Sequence, residues 1–213
     1  MAHLIISIGR QFGSGGSNIG KALAKSFGIN YYDKELLAEA ARESGLSKEV
    51  FERVDEQMSH YLAYAYNMGW SYFGGYSPFT DILSNEGLFK LQSDAIRNLA
   101  KREPCVIVGR CADYILRDYP GCISIFIHNT MENRIRNVQR DQPSFSEEQI
   151  KELIAKTDKS RASYYNFYTN KTWGMASSYN LSVDVSTLGF EPTVKFLRNF
   201  IEHKRQPVPP YFG

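Results

Sequence analysis

The segment best equipped for chemistry is Ile8-Gly9-Arg10-Gln11-Phe12-Gly13-Ser14-Gly15-Gly16-Ser17-Asn18-Ile19-Gly20-Lys21, in which four of the eight residues from Gly13 to Gly20 are glycine. Glycine lets a backbone curl until successive N–H groups face one point, and a helix starting near Ser17 aims its positive end at that same point. The ligand such a loop suits is an anion, and a phosphate above all. A plain glycine turn between strand and helix is the competing account, and the density of glycines argues against it. A dinucleotide fingerprint is the other alternative, since Gly13-x-Gly15 precedes Asp33 by roughly the ribose-binding offset. Its placement fails: Asn18 holds the third glycine position, and Gly13 comes well after Gly9, where the strand ends.

The standard phosphate cradle is G-x-x-x-x-G-K-[ST]. Gly15 to Gly20-Lys21 fits the spacing, but Ala22 follows in place of a hydroxyl and Lys21 falls one turn inside the helix. Starting the loop at the strand's end instead makes Gly13-Ser14-Gly15-Gly16-Ser17 the cradle, with Asn18 beside it. Ser17 then stands in the magnesium-binding hydroxyl position, and Gly16 stands where a lysine is usual. Two cations can replace that lysine. Arg10 at the loop's start is preferred, and Lys21 reads equally well as a solvated helix lysine.

The elements that must position this loop follow from periodicity. Leu4–Ile8 is a buried strand; Ile19, Ala22, Leu23 and Phe27 repeat at helical spacing, with a stop at Gly28; Ile29–Tyr32 is a second strand. Asp33 is placed to cap a helix over Lys34–Glu43, and Ser47 another to about Met58. His60–Gly87 loosens into aromatics, glycine and serine, expected to be an ordered insertion or an interface. Leu88–Lys101, Cys111–Arg117, Met131–Arg140, Ser146–Tyr168 and Pro192–Lys204 read as helices. Cys105–Val108, Cys122–Ile127 and Leu181–Val185 read as strands, and Pro207–Gly213 as an extended tail. Strands separated by helices predict a three-layer α/β fold on a parallel sheet.

Composition narrows the partners. The 213 residues leave room for one cored domain or a core with a mobile part, and the formal net charge of +2 provides no field for a nucleic-acid polymer. No run approaches the ~20 apolar residues of a membrane span, and the start lacks a signal-peptide pattern, so a cytoplasmic location is expected. Three cysteines without C-x-x-C spacing and four scattered histidines support neither a disulfide framework nor a zinc site.

Ile8–Ala24, Tyr31-Tyr32-Asp33, Val106–Leu116, Asp158–Tyr168 and Leu181–Leu188 together resemble the cytidylate kinase-like family, a branch of the P-loop nucleoside monophosphate kinases. The resemblance covers nearly the whole chain and implies a three-layer P-loop NTPase fold with a parallel five-stranded sheet, a helical monophosphate-binding insertion and a helical lid. It divides the chain into a core (1–33, 102–140, 178–205), an insertion (34–101) and a lid (141–177). The implied activity is transfer of a phosphoryl group from ATP, with Mg2+, to a nucleoside monophosphate such as CMP or dCMP. By resemblance Asp33 and Arg110 belong to the acceptor site, with Asp113 nearby. Asp158 and Arg161 keep the lid's D-x-x-R spacing, while Arg134 and Arg136 lie on the preceding helix.

The chain departs from the family pattern at Gly16, at Cys111, where an aspartate is usual, and in a lid with fewer arginines. Two alternatives therefore stay open: a nucleotide-binding regulatory protein without turnover, or a kinase of a non-nucleotide acceptor. The aromatics of 61–79 and 164–168 can stack a base, pack internally or form a homodimer contact.

Overall fold

Five short apolar runs become five strands: β1 (Ile5–Arg10), β2 (Asn30–Tyr32), β3 (Cys105–Val108), β4 (Cys122–His128) and β5 (Leu181–Asp184). This computed structural model describes residues 2–33 and 85–205. All strand pairs are parallel, in the order β2-β3-β1-β4-β5, which puts the strand bearing the glycine loop at the centre. Ile8 lies opposite Val108 on one side and Ile125 on the other. β1 continues two residues beyond the expected Ile8, because Gly9 and Arg10 still pair with Phe126 and Ile127.

Parallel strands need crossovers, which here are helical. They are α1 (Gly16–Phe27), α2 (Asn85–Arg102), α3 (Ala112–Ile115), α4 (Met131–Asp141), α5 (Glu147–Thr169), α6 (Val185–Leu188) and α7 (Phe190–Lys204), with a 3-10 turn at Ala176–Ser178. Alternate strand residues face opposite sides of the sheet. Ile6, Ile8, Val106, Val108, Ile125 and Ile127 face the side where Ile19 and Leu23 of α1 meet Leu197 and Ile201 of α7. The intervening Ile5, Cys105, Ile107 and Phe126 are buried as well. Burial on both faces is why these strands read as continuous apolar runs.

Helix ends follow local chemistry. Gly28 closes α1 in the left-handed conformation, and Ser146 and Gln149 form a reciprocal capping box at the start of α5. The last strand stops one residue earlier than expected. The Asp184 carboxylate accepts the Ser186 N–H at 2.9 Å and turns Val185–Leu188 into a short helix.

The chain divides into two compact units, Met1–Lys34 with Arg97–Gly213, and Glu35–Ile96. The helices expected over Lys34–Glu43 and Ser47–Met58, nearly all of the aromatic insertion and the tail from Pro207 lie outside the described residues; α2 begins at Asn85. Among the described residues no helix is long and apolar enough to cross a membrane.

Candidate active site

At the exit of β1 the chain turns through a loop held by its own atoms. The Ser14 hydroxyl donates to Gln11 O at 2.8 Å and accepts the Gly16 N–H at 3.3 Å, which accounts for its near-complete burial. Gly15, at φ 86°, is the N-cap of α1, and no side chain caps that helix. Beyond the Gly16 N–H, which Ser14 takes, the amides of its first turn have no partner within the helix and keep their donors for a ligand. A Cβ on Gly15 would meet nothing within 4 Å, so the concave side of the loop is open. Gly13 is required for a different reason: its φ is 74°, and a Cβ there would come within 2.8 Å of Arg134 O.

Two helices clamp the loop from outside. The Phe12 N–H donates to Asp158 Oδ1 at 2.8 Å, and Phe12 O accepts Arg134 Nε at 2.7 Å. Arg134 and Asp158 also pair directly, with the arginine side chain only 5% exposed. One residue of the loop is thus bracketed, on its N–H and its carbonyl, by an ion pair joining α4 to α5. Asn137 Nδ2 adds a hydrogen bond to Gly13 O at 2.9 Å, and the Asn129 N–H one to Gln11 Oε1 at 3.2 Å.

The cavity in front of the loop measures about 820 Å3. Gly13, Ser14, Gly15, Gly16, Ser17 and Asn18 all line it, together with Arg10 and Arg161. The far wall comes from α4, through Asn133, Arg136, Asn137 and Arg140, and from Val185, Ser186 and Phe190. Arg161 donates Nη1 to Arg10 O at 3.1 Å, and its guanidinium sits 5.6 Å from the centre of the Phe12 ring. Burial pulls the Arg161 pKa down against the opposing pull of Asp158.

Arg10 is the unusual member. Its pKa is lowered to about 10, first by burial and then by Arg161, with Arg110 adding to the effect and Tyr31 and Asp33 opposing it. Its Nε is enclosed and has no hydrogen-bond partner. A guanidinium withdrawn from water in this way attracts an anion more strongly than an exposed one does.

The remaining sequence candidates are placed elsewhere. Lys21 is exposed on α1, 5.6 Å from the centre of the Tyr31 ring, and does not line the cavity. Asp158 does not line it either, its two oxygens being engaged by Phe12 and Arg134. Asp113 accepts the Tyr165 hydroxyl at 2.7 Å and belongs to an aromatic group in which Tyr165 stacks on Tyr179 and Tyr179 packs on Phe126. Burial raises the Asp113 pKa, and Tyr165 and Lys171 offset part of that rise. Arg110 and Asp33 lie outside the cavity wall, yet close enough to act on Arg10 electrostatically. Gly109, Arg110 and Cys111 have φ values of 82°, 57° and 54°, a left-handed turn directly past β3. The two non-glycine members store strain of order 1 kcal/mol each. Arg110 is also hydrogen-bonded to the Tyr164 hydroxyl, whose pKa burial pushes up to about 12.

Asn129, Asn133, Asn137 and Arg140 escaped the sequence reading. Positions 133, 136, 137 and 140 recur at the spacing of one helical face, and that was the available signal.

The model of the cytidylate kinase-like family matches residues 5–187. The crystal structure of an uncharacterized protein from Eubacterium ventriosum is 27% identical, with a TM-score of 0.70 over 94% of this chain and 99% of that one. Shikimate kinase from Bacteroides thetaiotaomicron is 15% identical, with a TM-score of 0.53 over 93% of this chain and 98% of its own. TT1252 from Thermus thermophilus is 16% identical, with a TM-score of 0.54 over 97% of this chain and 100% of its own. These last two are likenesses of fold alone. No curated protein sequence matches the chain significantly.

Proposed function

The chain belongs to the cytidylate kinase-like family, and from that premise we propose that it transfers the γ-phosphoryl group of ATP to a nucleoside monophosphate, with CMP or dCMP the first choice of acceptor. The observation that carries this reading is the loop, where an uncapped helix start behind an open glycine curve faces a cavity of about 820 Å3. That volume lies in the usual range for small-molecule sites.

Phosphoryl transfer asks a protein for alignment and charge rather than covalent chemistry. An oxygen of the acceptor's phosphate bonds to the γ-phosphorus while the bond from that phosphorus to the β–γ bridging oxygen breaks, giving ADP and a nucleoside diphosphate. In this chain the amides of Gly15, Ser17 and Asn18 are the ones to hold the phosphates, and the Ser17 hydroxyl would hold Mg2+. When bound, Mg2+ neutralises charge on the phosphate oxygens.

Arg161 lines the cavity, where a desolvated guanidinium stabilises the group in flight. Asp158 acts as a positioning residue, fixing Phe12 beneath Arg161. Arg110 and Asp33 serve the acceptor, 34–101 forms the monophosphate-binding insertion, and 141–177 closes over the reaction as a lid. A cytoplasmic enzyme of small molecules follows from this reading.

A second reading, a nucleotide-binding regulatory protein without turnover, draws on glycine in the lysine position and on Asp113 being committed to Tyr165. ADP release measured against a panel of nucleoside monophosphates separates the two. The kinase reading requires release that depends on the acceptor, strongest with CMP or dCMP. Tight ATP binding without transfer to any acceptor would leave the regulatory reading standing.

A further inference from the structure

Two glycines flank the Arg10 side chain, one at each end. A Cβ built on Gly16 would lie 2.6 Å from Arg10 Cβ and 3.1 Å from its Cγ. A Cβ built on Gly109 would lie 2.3 Å from Arg10 Nη1. The first approach is not tolerable for real atoms, whereas at Gly109, whose φ of 82° already favours glycine, a side chain would displace the movable guanidinium end. The arginine stem therefore occupies the space that a side chain at position 16 would leave through, and the guanidinium lies across Gly109 at the end of β3. Gly16 is helical, with no positive φ to demand glycine, so ordinary backbone preference would favour almost any other residue there.

We infer that Gly16, Arg10 and Gly109 form one unit, in which the two glycines clear a path for Arg10 and Arg10 supplies the cation that the loop lysine supplies in the usual cradle. The glycine at position 16 is then not a lost lysine but the clearance for its replacement, and the two cations are alternatives that cannot occupy the loop together. Arg10 lines the cavity, and its enclosed Nε has no partner within the chain, so the positive charge of the group is not spent on an internal bond at that atom. A fork of guanidinium donors meets phosphate at least as well as an ammonium point charge.

This inference rests on the reading of the loop as a nucleotide site, and its test has one arm that does not. In the first arm the intact chain is melted without ligand. Gly16→Ala should lower the melting temperature when Arg10 is present. In the Arg10→Gly background, where the Cβ is gone as well, the same substitution should leave the melting temperature unchanged or raise it, since alanine is then free to improve the helix. Equal effects in both backgrounds would overturn the steric coupling.

The second arm measures the dissociation constant of Mg-ATP by calorimetry. Arg10→Ala should weaken binding by about 10- to 100-fold, the range of a lost charge-assisted hydrogen bond. Gly16→Lys alone should weaken binding too, whereas Arg10→Gly with Gly16→Lys, which removes the clashing Cβ, should regain much of the affinity. Wild-type binding that is unaffected by Arg10→Ala would overturn the cationic role. A wild-type chain that binds no nucleotide would instead remove the kinase reading and the cationic role together, and the melting arm would still decide whether the three residues are coupled.

Discussion

Replacing Arg134 with methionine tests the loop's support most severely. The arginine is 4% exposed overall and joins three partners in one place: Asp158, Phe12 O and, through Asp158, the Phe12 N–H. Methionine keeps the stem's volume but leaves the Asp158 carboxylate facing an uncharged neighbour in a low-dielectric site. Breaking a buried pair from one side costs about 3–5 kcal/mol. In a chain of this length each kcal/mol moves the melting temperature by about 2–4 °C, so a fall of roughly 6–20 °C is expected.

The informative partner is Arg134→Met with Asp158→Leu, which removes both charges. That double variant should recover most of the lost stability, because an apolar pair of similar volume can replace a buried ion pair at little net cost. It should not recover Mg-ATP affinity, since Phe12 is then free of both brackets and the amides beyond it lose their fixed direction. Differential scanning calorimetry with nucleotide titration reads both quantities. A fall of less than about 2 °C for the single variant, or restored affinity in the double, would refute the clamp.

Other outcomes follow from the same geometry. Arg10→Met keeps the apolar stem and removes a cation whose pKa is lowered from 12.5 to about 10, a penalty worth about 3 kcal/mol at every pH below that value. The ligand-free variant should therefore melt no lower than wild type, while its stabilisation by Mg-ATP shrinks. For Asp113 the sign is opposite. Its carboxyl is raised above the usual range, so its favourable contribution is complete below the ordinary carboxylate pKa and is lost as pH rises through the raised value. The stability of Asp113→Asn relative to wild type should accordingly grow between pH 4 and pH 7 in paired thermal melts. Burial pushes the thiols of Cys105, Cys111 and Cys122 up to about 12. Iodoacetamide at pH 8 should leave the native chain unlabelled by mass spectrometry and label it fully in denaturant.

Much of the core was legible because burial on both faces writes β1, β3 and β4 as unbroken apolar runs, and Gly28 marks the end of α1 by its left-handed cap. The loop was legible too, since its glycines lie close together in sequence. What the sequence withheld were directions. Asp158 and Arg161 share D-x-x-R spacing, but spacing along a helix cannot reveal that Asp158 reaches Phe12, 146 positions away. Asp113 follows Arg110 by three residues, yet the left-handed turn between them sends its carboxyl into the aromatic group instead. Gly16 read as a missing lysine because its meaning depends on where the Arg10 stem runs, which only the packing of β1 against α1 discloses.

The central claim is that the amides opening α1 receive the phosphates of a nucleotide. Amide resonances of 15N-labelled protein, followed while the magnesium complex of a non-hydrolysable ATP analogue is added, test it directly. Large saturable shifts at Gly15, Gly16, Ser17 and Asn18, with smaller ones at Phe12 and Arg161, are the expected result. Unmoved loop resonances at analogue concentrations that shift other parts of the chain would contradict it.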